Sequence, residues 1–521
     1  MMRARYLLVG CFALLAAALW AQPQVRYFWS GALTARSLRV NAQMTAPTDS
    51  LRLVVAKEPG WTDPRFSAYT PADSSTFCMV PMDVDGLEPN TPYHYRFEVN
   101  GVVDTSTAHT GTFGTAPEGP GGFSFVVGSC NGSSNHPVWT SMAALKPLFL
   151  LCNGDLHYGD PSGTSPEEHR TAYEQLVLSQ EPAASLLRQV PLVYVWDDHD
   201  FCGNASDATA PGRYAAFQAY REYVPHYPLA YPADTMPVYQ SFTIGRVHFI
   251  VSDMRSTKTG GAMMDARQHA WLRAELLEAE KNGLLAVWVT SLSWNAIGSP
   301  ENWGSQPGER NDLCDFLRDN GIRDLLILCG DAHMLAIDSG ANGDFSTGQN
   351  DPWKYPVFQA AAINRGGSYK GGTYDQGGYF PNPTAAHGQF GQVLVNDDGE
   401  EICVTLQGFR TDSMGSALTL IDHYTFCRTP LMAGPHPPGP DPHDPPSFVW
   451  LGTELDVRWD GAQGPGSVEA IDAAGRSFGT FAVVWNAGAA VVKATAPPTG
   501  AYVLRLACGA QRMAVPGVVE H

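Results

Sequence analysis

The pattern of apolar and polar positions changes character along the chain. Between residues 25 and 117 apolar and polar residues alternate in short runs, over 37–43, 50–56, 76–82 and 93–99, with Pro, Gly and Asp clusters between them. Alternation with period two predicts half-buried strands, and this spacing of turns predicts an all-β module. After the linker Glu118-Gly119-Pro120-Gly121-Gly122 the apolar runs become short and continuous and alternate with amphipathic stretches, which predicts α/β architecture. Asp265 is placed to cap a helix over 266–281 that stops at Asn282-Gly283, and a second helix is predicted over 311–320, ending at Gly321. Residues 342–390 read as loop, dense in Gly and Tyr over 366–378. Strand patterning returns at 392–395 and 402–406 around the hairpin turn Asn396-Asp397-Asp398-Gly399. A Pro-rich, semi-rigid linker at 431–447 then leads to a small β module over 448–521.

The buried runs of the α/β region repeatedly stop at polar residues. Run 123–127 ends in Gly128-Ser129-Cys130-Asn131, 148–151 leads into Asn153-Gly154-Asp155-Leu156-His157-Tyr158, and 190–195 ends in Trp196-Asp197-Asp198-His199-Asp200. Run 247–251 ends in Ser252-Asp253-Met254-Arg255, 284–289 in a stretch from Thr290 to Asn295, and 325–328 in Cys329-Gly330-Asp331-Ala332-His333. Strand ends on one edge of an α/β sheet are where sites are assembled. The third cluster sets three carboxylates and an imidazole behind one strand. Packed carboxylates repel, so one of them takes a proton unless a cation sits among them. Alone, such a cluster reads equally well as a solvated acidic loop; with oxygen, sulfur and imidazole donors at neighbouring strand ends it reads as a metal site.

Composition narrows the class. A chain of 521 residues suggests about three domains. Its 33 Lys and Arg against 52 Asp and Glu give a formal charge of -19, which argues against nonspecific binding along a nucleic-acid backbone. Residues 1–21 have the order of a secretory signal, with Arg3 and Arg5 before an apolar stretch over 6–20. No later segment stays apolar for the roughly eighteen residues of a membrane span, so an exported chain, extracellular or at the cell surface, is expected. Ten cysteines show no CxxC spacing, and loss of Cys11 with the signal leaves nine. In an oxidising compartment an odd number leaves at least one free or as a ligand. Cys152 and Cys329 lie inside apolar runs and are expected in the core.

Three resemblances follow from these motifs. The run Leu87-Glu88-Pro89-Asn90-Thr91-Pro92-Tyr93-His94-Tyr95 carries a tyrosine-corner signature, and residues 25–117 resemble a fibronectin type III or immunoglobulin-like β-sandwich. The strand-end clusters together resemble the metallophosphoesterases, and among them the alkaline phosphatase D family, over about residues 25–430, with the α/β metallophosphoesterase core at 123–430. Gly500-Ala501-Tyr502-Val503-Leu504-Arg505-Leu506, followed by Gly509 and the apolar run 513–519, resembles the sorting domains read by the type IX secretion system, which implies secretion machinery as a partner.

The second resemblance implies an exported phosphoesterase acting on phosphate esters at an iron(III) and calcium site, another divalent metal being the alternative. Cys130 and Tyr158 then bind iron, Asp155 bridges, His333 completes the iron side, and Asp198 with Asp331 the calcium side. Thiolate and phenolate suit a transition metal and carboxylates suit calcium. Asp197 is either a supporting partner or a ligand itself. Of the catalytic positions, His199 is the candidate acid for the leaving oxygen, Arg255 can grip phosphate oxygens, and Asn204 reaches a phosphate oxygen or closes a turn. The mechanism this implies is direct attack of a metal-bound hydroxide on phosphorus, with no phosphoenzyme. Two features depart from the pattern: the segment 290–295 contains no histidine, and His157 stands where an apolar residue is usual, which bears on substrate preference or metal loading. Two other readings stay open, a surface adhesin or carbohydrate-binding protein with structural calcium, and a phosphodiesterase of nucleic or teichoic acid.

Overall fold

The computed structural model describes residues 23–428 apart from 232–235, 298, 300, 349–354 and 416, and beyond these the strands between 447 and 519. The expected leader at 1–21, and all but the last residue of the linker at 431–447, lie outside the described residues.

Two packed sheets carry the core, and the reason is legible in single strands. In Leu285–Thr290, Leu285, Val287 and Val289 face one apolar cluster while Ala286 and Trp288 face another. Leu325–Cys329 divides the same way, with Leu326 and Leu328 on one side and Leu325, Ile327 and Cys329 on the other. A strand buried on both faces needs a continuous apolar run, and that is the pattern these segments have. The inner cluster joins the sheets through stacked rings, Phe125 on Phe149 at 4.7 Å and Phe242 on Phe249 at 4.7 Å, with Phe149 edge-on to Phe249 at 5.5 Å. The outer cluster packs the second sheet against helices Ala266–Lys281 and Pro307–Asp319.

The first sheet has nine strands in the order Leu418–Arg428, Ile402–Thr411, Gln389–Asp397, Phe123–Gly128, Phe149–Asn153, Leu192–Val195, Val25–Gly31, Leu38–Met44 and Met79–Val84. The second has seven: Gln240–Ile244, Val247–Val251, Leu285–Thr290, Leu325–Cys329, Val357–Ala360, Met334–Asp338 and Gln376–Pro381. Phe123–Gly128, Phe149–Asn153 and Leu192–Val195 run parallel in the first sheet; Val247–Val251, Leu285–Thr290 and Leu325–Cys329 run parallel in the second. The six runs therefore do not share one sheet edge, as the sequence suggested, but divide between two facing sheets.

In the amino-terminal segment, Thr48–Ala56 and Pro92–Val99 pair in a further sheet, and Val40, Leu53, Val55, Tyr95 and Phe97 fill an apolar cluster of their own. The Glu88 N–H donates to Tyr93 Oη at 2.9 Å, the bond of a tyrosine corner. The segment nevertheless runs on into the α/β region. Val25–Gly31 lies parallel to Leu192–Val195 with Gly31 opposite Leu192, so three amino-terminal strands extend the nine-stranded sheet. The contact admits only glycine, since a Cβ on Gly31 would sit 2.2 Å from the Pro225 carbonyl oxygen and 2.6 Å from that of Leu192.

Asp265 caps Ala266–Lys281 as expected, accepting from the Gln268 N–H at 2.8 Å. The second helix begins earlier than 311, at Pro307, because proline at the first helical position forgoes a bond that no helix makes there. Residues 342–390 are not loop throughout: Val357–Ala360 and Gln376–Pro381 are strands, the latter with alternate residues exposed, a pattern hidden by its two glycines and terminal proline. Leu418–Arg428 is a further strand that periodicity did not reveal, half its face being polar. It is joined to its neighbour by the disulfide Cys403–Cys427, while Cys78, Cys130, Cys152, Cys202, Cys314 and Cys329 are free and buried. Beyond 447, three strands form one antiparallel sheet and four another. Among the described residues no helix is long and apolar enough to cross a membrane.

Candidate metal centre

One local device repeats at the strand ends. Cys130, Asp155 and Asp331 each stand two residues past a strand, after Gly128, Asn153 and Cys329, and each has left-handed backbone, with φ of 60°, 51° and 64°. Residues other than glycine seldom adopt this conformation, and when they do it marks turns and functional sites. Here it turns three donor side chains out of the sheets into the seam between them. Gly154, at φ 118°, makes room beside Asp155, because a Cβ there would lie 2.6 Å from Asp197 Cβ.

The donors converge on Tyr158 and Asp155. Tyr158 Oη donates to Asp155 Oδ2 at 2.9 Å and lies 3.2 Å from His333 Nε2. The other nitrogen of His333 donates to the Gly366 carbonyl at 2.6 Å, which fixes the ring and leaves Nε2 facing the phenol. Cys130 is fully buried, with Sγ 3.8 Å from the Asp331 carbonyl oxygen. Asp155, Asp198 and His199 each offer a donor atom, and these atoms lie within 4.8 Å of one another. Glu401, Cys403 and Cys427 are similarly close, but both thiols are consumed in the disulfide.

Burial dominates the ionisation of this cluster. Burial and then the neighbouring Asp198 push the Asp155 carboxyl far above the carboxylate range. Burial, then Asp155, push the Cys130 thiol well up, and burial followed by Cys130 does the same to the Tyr158 phenol. Asp331 is pushed up to about 7, by burial against the opposing charge of Lys370. Asp331 Oδ2 and Asp197 Oδ2 are buried without a hydrogen-bond partner. Burial thus favours the protonated forms of Asp155, Cys130 and Tyr158; a bound cation would let them ionise, and thiolate, phenolate, imidazole and carboxylate form a donor set that fits one.

The three acids of the cluster Asp197-Asp198-His199-Asp200 do different things. Asp200 accepts from Tyr194 Oη at 2.6 Å, the Leu156 N–H at 2.7 Å and the Asp197 N–H at 2.7 Å, and is a scaffold residue. Asp197 is bound by Arg255 Nε and by Ser291 Oγ at 2.9 Å. Burial tends to raise the Asp198 carboxyl, but the charges of Arg255 and His199 and the Ala205 N–H, at 2.6 Å, hold it low. Asp198 is thus the acid of the three whose pKa is held below the ordinary carboxylate value and that is turned to Asp155.

Arg255 is fully buried, not a surface ion pair. Its Nη1 lies 3.2 Å from Glu301 and its Nη2 3.6 Å from Asp198 Oδ1. Asp253 positions it: one oxygen accepts from the Arg255 and Ser256 N–H groups at 3.0 Å each and from Trp196 Nε1 at 2.9 Å. His199 sits at the mouth, its ring 4.1 Å from that of Tyr158 and its Nδ1 2.6 Å from Asp160 Oδ1. Asn204 is exposed on the loop between Gly203 and Ala205. His157 lies away from the donors. It packs edge-on to Tyr173 and accepts from the Gly159 N–H at 3.3 Å, and burial lowers its pKa to about 3.

Sequence reasoning missed Asp160, Ser291, Arg365 and Lys370. Ser291 occupies the strand end that lacks histidine and orients Asp197 instead. Arg365 lies with its guanidinium 4.0 Å above the Tyr158 ring, and Lys370 Nζ is 3.3 Å from Asp331 Oδ1. The available signal was two cations at the edge of a Gly and Tyr rich segment that carries no other charge until Asp375.

Residues 125–377, which contain all six strand ends, match the model of the PhoD-like phosphatase family. The chain is 24% identical over 311 residues to alkaline phosphatase D of Bacillus subtilis (strain 168), an alignment covering 49% of this chain and 53% of the relative. The chain thus spans about half the length of that curated relative. Among solved structures, a structure of PhoD has a TM-score of 0.60 at 17% identity, over 76% of this chain and 91% of the other, a likeness of fold.

Proposed function

We propose that this chain is a metal-dependent phosphoesterase that hydrolyses phosphate monoesters, diesters or both. The observation that carries the reading is the convergence of Cys130, Asp155, Tyr158, Asp198, Asp331 and His333 from two sheets onto one seam, where burial holds the Asp155 carboxyl far above its ordinary range. Cys130, Tyr158 and His333 would hold a transition metal such as iron(III), Asp198 and Asp331 a harder ion such as calcium, and Asp155 both. When bound, the ions supply Lewis acidity toward the phosphate and an activated water.

The chain's own residues supply the rest. His199, anchored through Nδ1 by Asp160 at 2.6 Å, keeps Nε2 available to protonate the departing alkoxide. Asp197 and Ser291 hold the Asp198 segment against the second sheet, and Asn204 lies on the adjoining exposed loop. Arg255 acts beneath the carboxylates, so in this reading it orders ligands rather than gripping the phosphate. The leader at 1–21 and the carboxyl-terminal sorting resemblance support export, and the Cys403–Cys427 disulfide is at home in an oxidising compartment.

The test is Asp155→Asn in protein purified without chelators, scored for metal content, fold and release of alcohol from monoester and diester substrates. The expected outcome is loss of hydrolysis with an unchanged circular dichroism spectrum. Undiminished hydrolysis would remove Asp155 from the site, and a trapped phosphoserine or phosphoaspartate would overturn direct attack by water.

A further inference from the structure

Arg255 and Lys370 both neutralise acids of this site, but from opposite sides. Arg255 is wholly buried, with its Nε bound to Asp197, its Nη1 3.2 Å from Glu301 and its Nη2 3.6 Å from Asp198 Oδ1, so it acts from beneath the carboxylates. Lys370 comes from the loop over the mouth, with 22% of its side chain exposed, and its ammonium lies 3.3 Å from Asp331 Oδ1 while Asp331 Oδ2 stays unpartnered.

The position of that ammonium is built by its loop. On one side His333 ties the loop down, donating from Nδ1 to the Gly366 carbonyl at 2.6 Å and from its backbone N–H to Ser368 Oγ at 3.1 Å. On the other, Asn295 Nδ2 donates to the Thr373 carbonyl at 3.0 Å. Between these pins Tyr369 donates to the Gly372 carbonyl at 2.6 Å and stacks on Tyr379 at 4.1 Å. Arg365, just before the first pin, spreads its guanidinium 4.0 Å above Tyr158. Both cations stand near enough to His333 to depress its basicity, after the larger effect of burial. A candidate metal ligand thus shares its carboxylate with a partly exposed cation.

We propose that Lys370 is a substrate-binding residue whose ammonium transfers from Asp331 to the phosphate of the substrate, and that with Arg365 it favours the dianion of a phosphate monoester over the monoanion of a diester. This rests on the phosphoesterase reading above and adds a substrate class to it. A monoester above its second ionisation presents one more anionic oxygen than a diester, and a charge-assisted bond to that oxygen is lost with the cation. A point charge on a flexible stem suits an oxygen that moves during reaction, whereas arginine fits a fixed bidentate partner.

The experiment compares wild type with Lys370→Met, Lys370→Arg and Arg365→Gln. It measures kcat/KM for p-nitrophenyl phosphate and for bis-p-nitrophenyl phosphate, metal content by elemental analysis, and the affinity for inorganic phosphate by calorimetry. Lys370→Met is expected to lower kcat/KM for the monoester roughly 10- to 100-fold and to weaken phosphate binding by a similar factor, the loss of one charge-assisted bond. The diester should change less than about 5-fold, since it lacks the second anionic oxygen. Metal content should stay constant, Lys370→Arg should recover part of the loss, and Arg365→Gln should shift the monoester-to-diester ratio in the same direction. Equal losses on both esters together with lowered metal content would make Lys370 a positioning residue for Asp331 and overturn the proposal, as would unchanged phosphate affinity. Wild type that hydrolyses neither ester would instead remove the phosphoesterase reading itself.

Discussion

Replacing Arg255 by methionine keeps most of the side-chain volume and removes the charge beneath the carboxylates. Arg255 and Asp197 are 0% and 1% exposed, and the Asp197 carboxylate also accepts from Ser291 Oγ. Removing one partner of a buried ion pair costs about 3–5 kcal/mol, because the other charge is left in a medium that cannot solvate it. The Glu301 contact adds little, since Glu301 is partly exposed and such pairs contribute about 0–1 kcal/mol. Protonation of Asp197 limits the loss, and burial already raises that carboxyl. We therefore expect chelator-treated Arg255→Met to lose about 3–5 kcal/mol, part of it recovered in Arg255→Met/Asp197→Leu, which removes one of the two buried carboxylates that face Arg255. Urea unfolding followed by tryptophan fluorescence reads this directly, because Trp196 is bonded to Asp253, the residue that positions Arg255. A loss below about 1 kcal/mol, or strictly additive single variants, would refute the argument. Lost kcat/KM with unchanged stability would instead restore Arg255 as a phosphate ligand.

Other outcomes follow from the same structure. Gly154→Ala, whose Cβ would lie 2.6 Å from Asp197 Cβ at a φ of 118°, should lose about 1–3 kcal/mol and retain less metal, measured by calorimetry and elemental analysis. Removing the Cys403–Cys427 disulfide, which spans 24 residues, should cost about 3 kcal/mol in urea unfolding and leave the metal content alone. Burial lowers the His226 pKa from its ordinary 6.5 to about 4, so between those values the unfolded chain takes a proton that the native chain refuses. The contribution of His226 is therefore complete above pH 6.5 and is lost as pH falls toward about 4, and His226→Gln should flatten that limb of the stability profile.

Much of this molecule was local enough to be determined by the sequence. A strand buried on both faces needs an uninterrupted apolar run, a capped helix needs its acid at the first turn, and the polar residues that stop each run are the ones that face the seam. Cys130, Asp155, Tyr158, Asp198, Asp331 and His333 could be named for that reason. Tertiary structure alone decided that the runs form two facing sheets, which brings Ser291 to Asp197 across 94 positions and Asp331 to Cys130 across 201. It also decided which acid does what: Asp200 is fixed by Tyr194 and two backbone N–H groups, Asp197 by Arg255, and Asp198 alone is left to face Asp155. Residue type cannot separate three adjacent aspartates, because their charges are equal and only their surroundings differ. Nor could it place Lys370, whose loop has no periodicity and is held by bonds to His333 and Asn295 from distant segments. The amino-terminal strands join the nine-stranded sheet through one close contact at Gly31, and only the folded chain shows that this glycine meets Leu192.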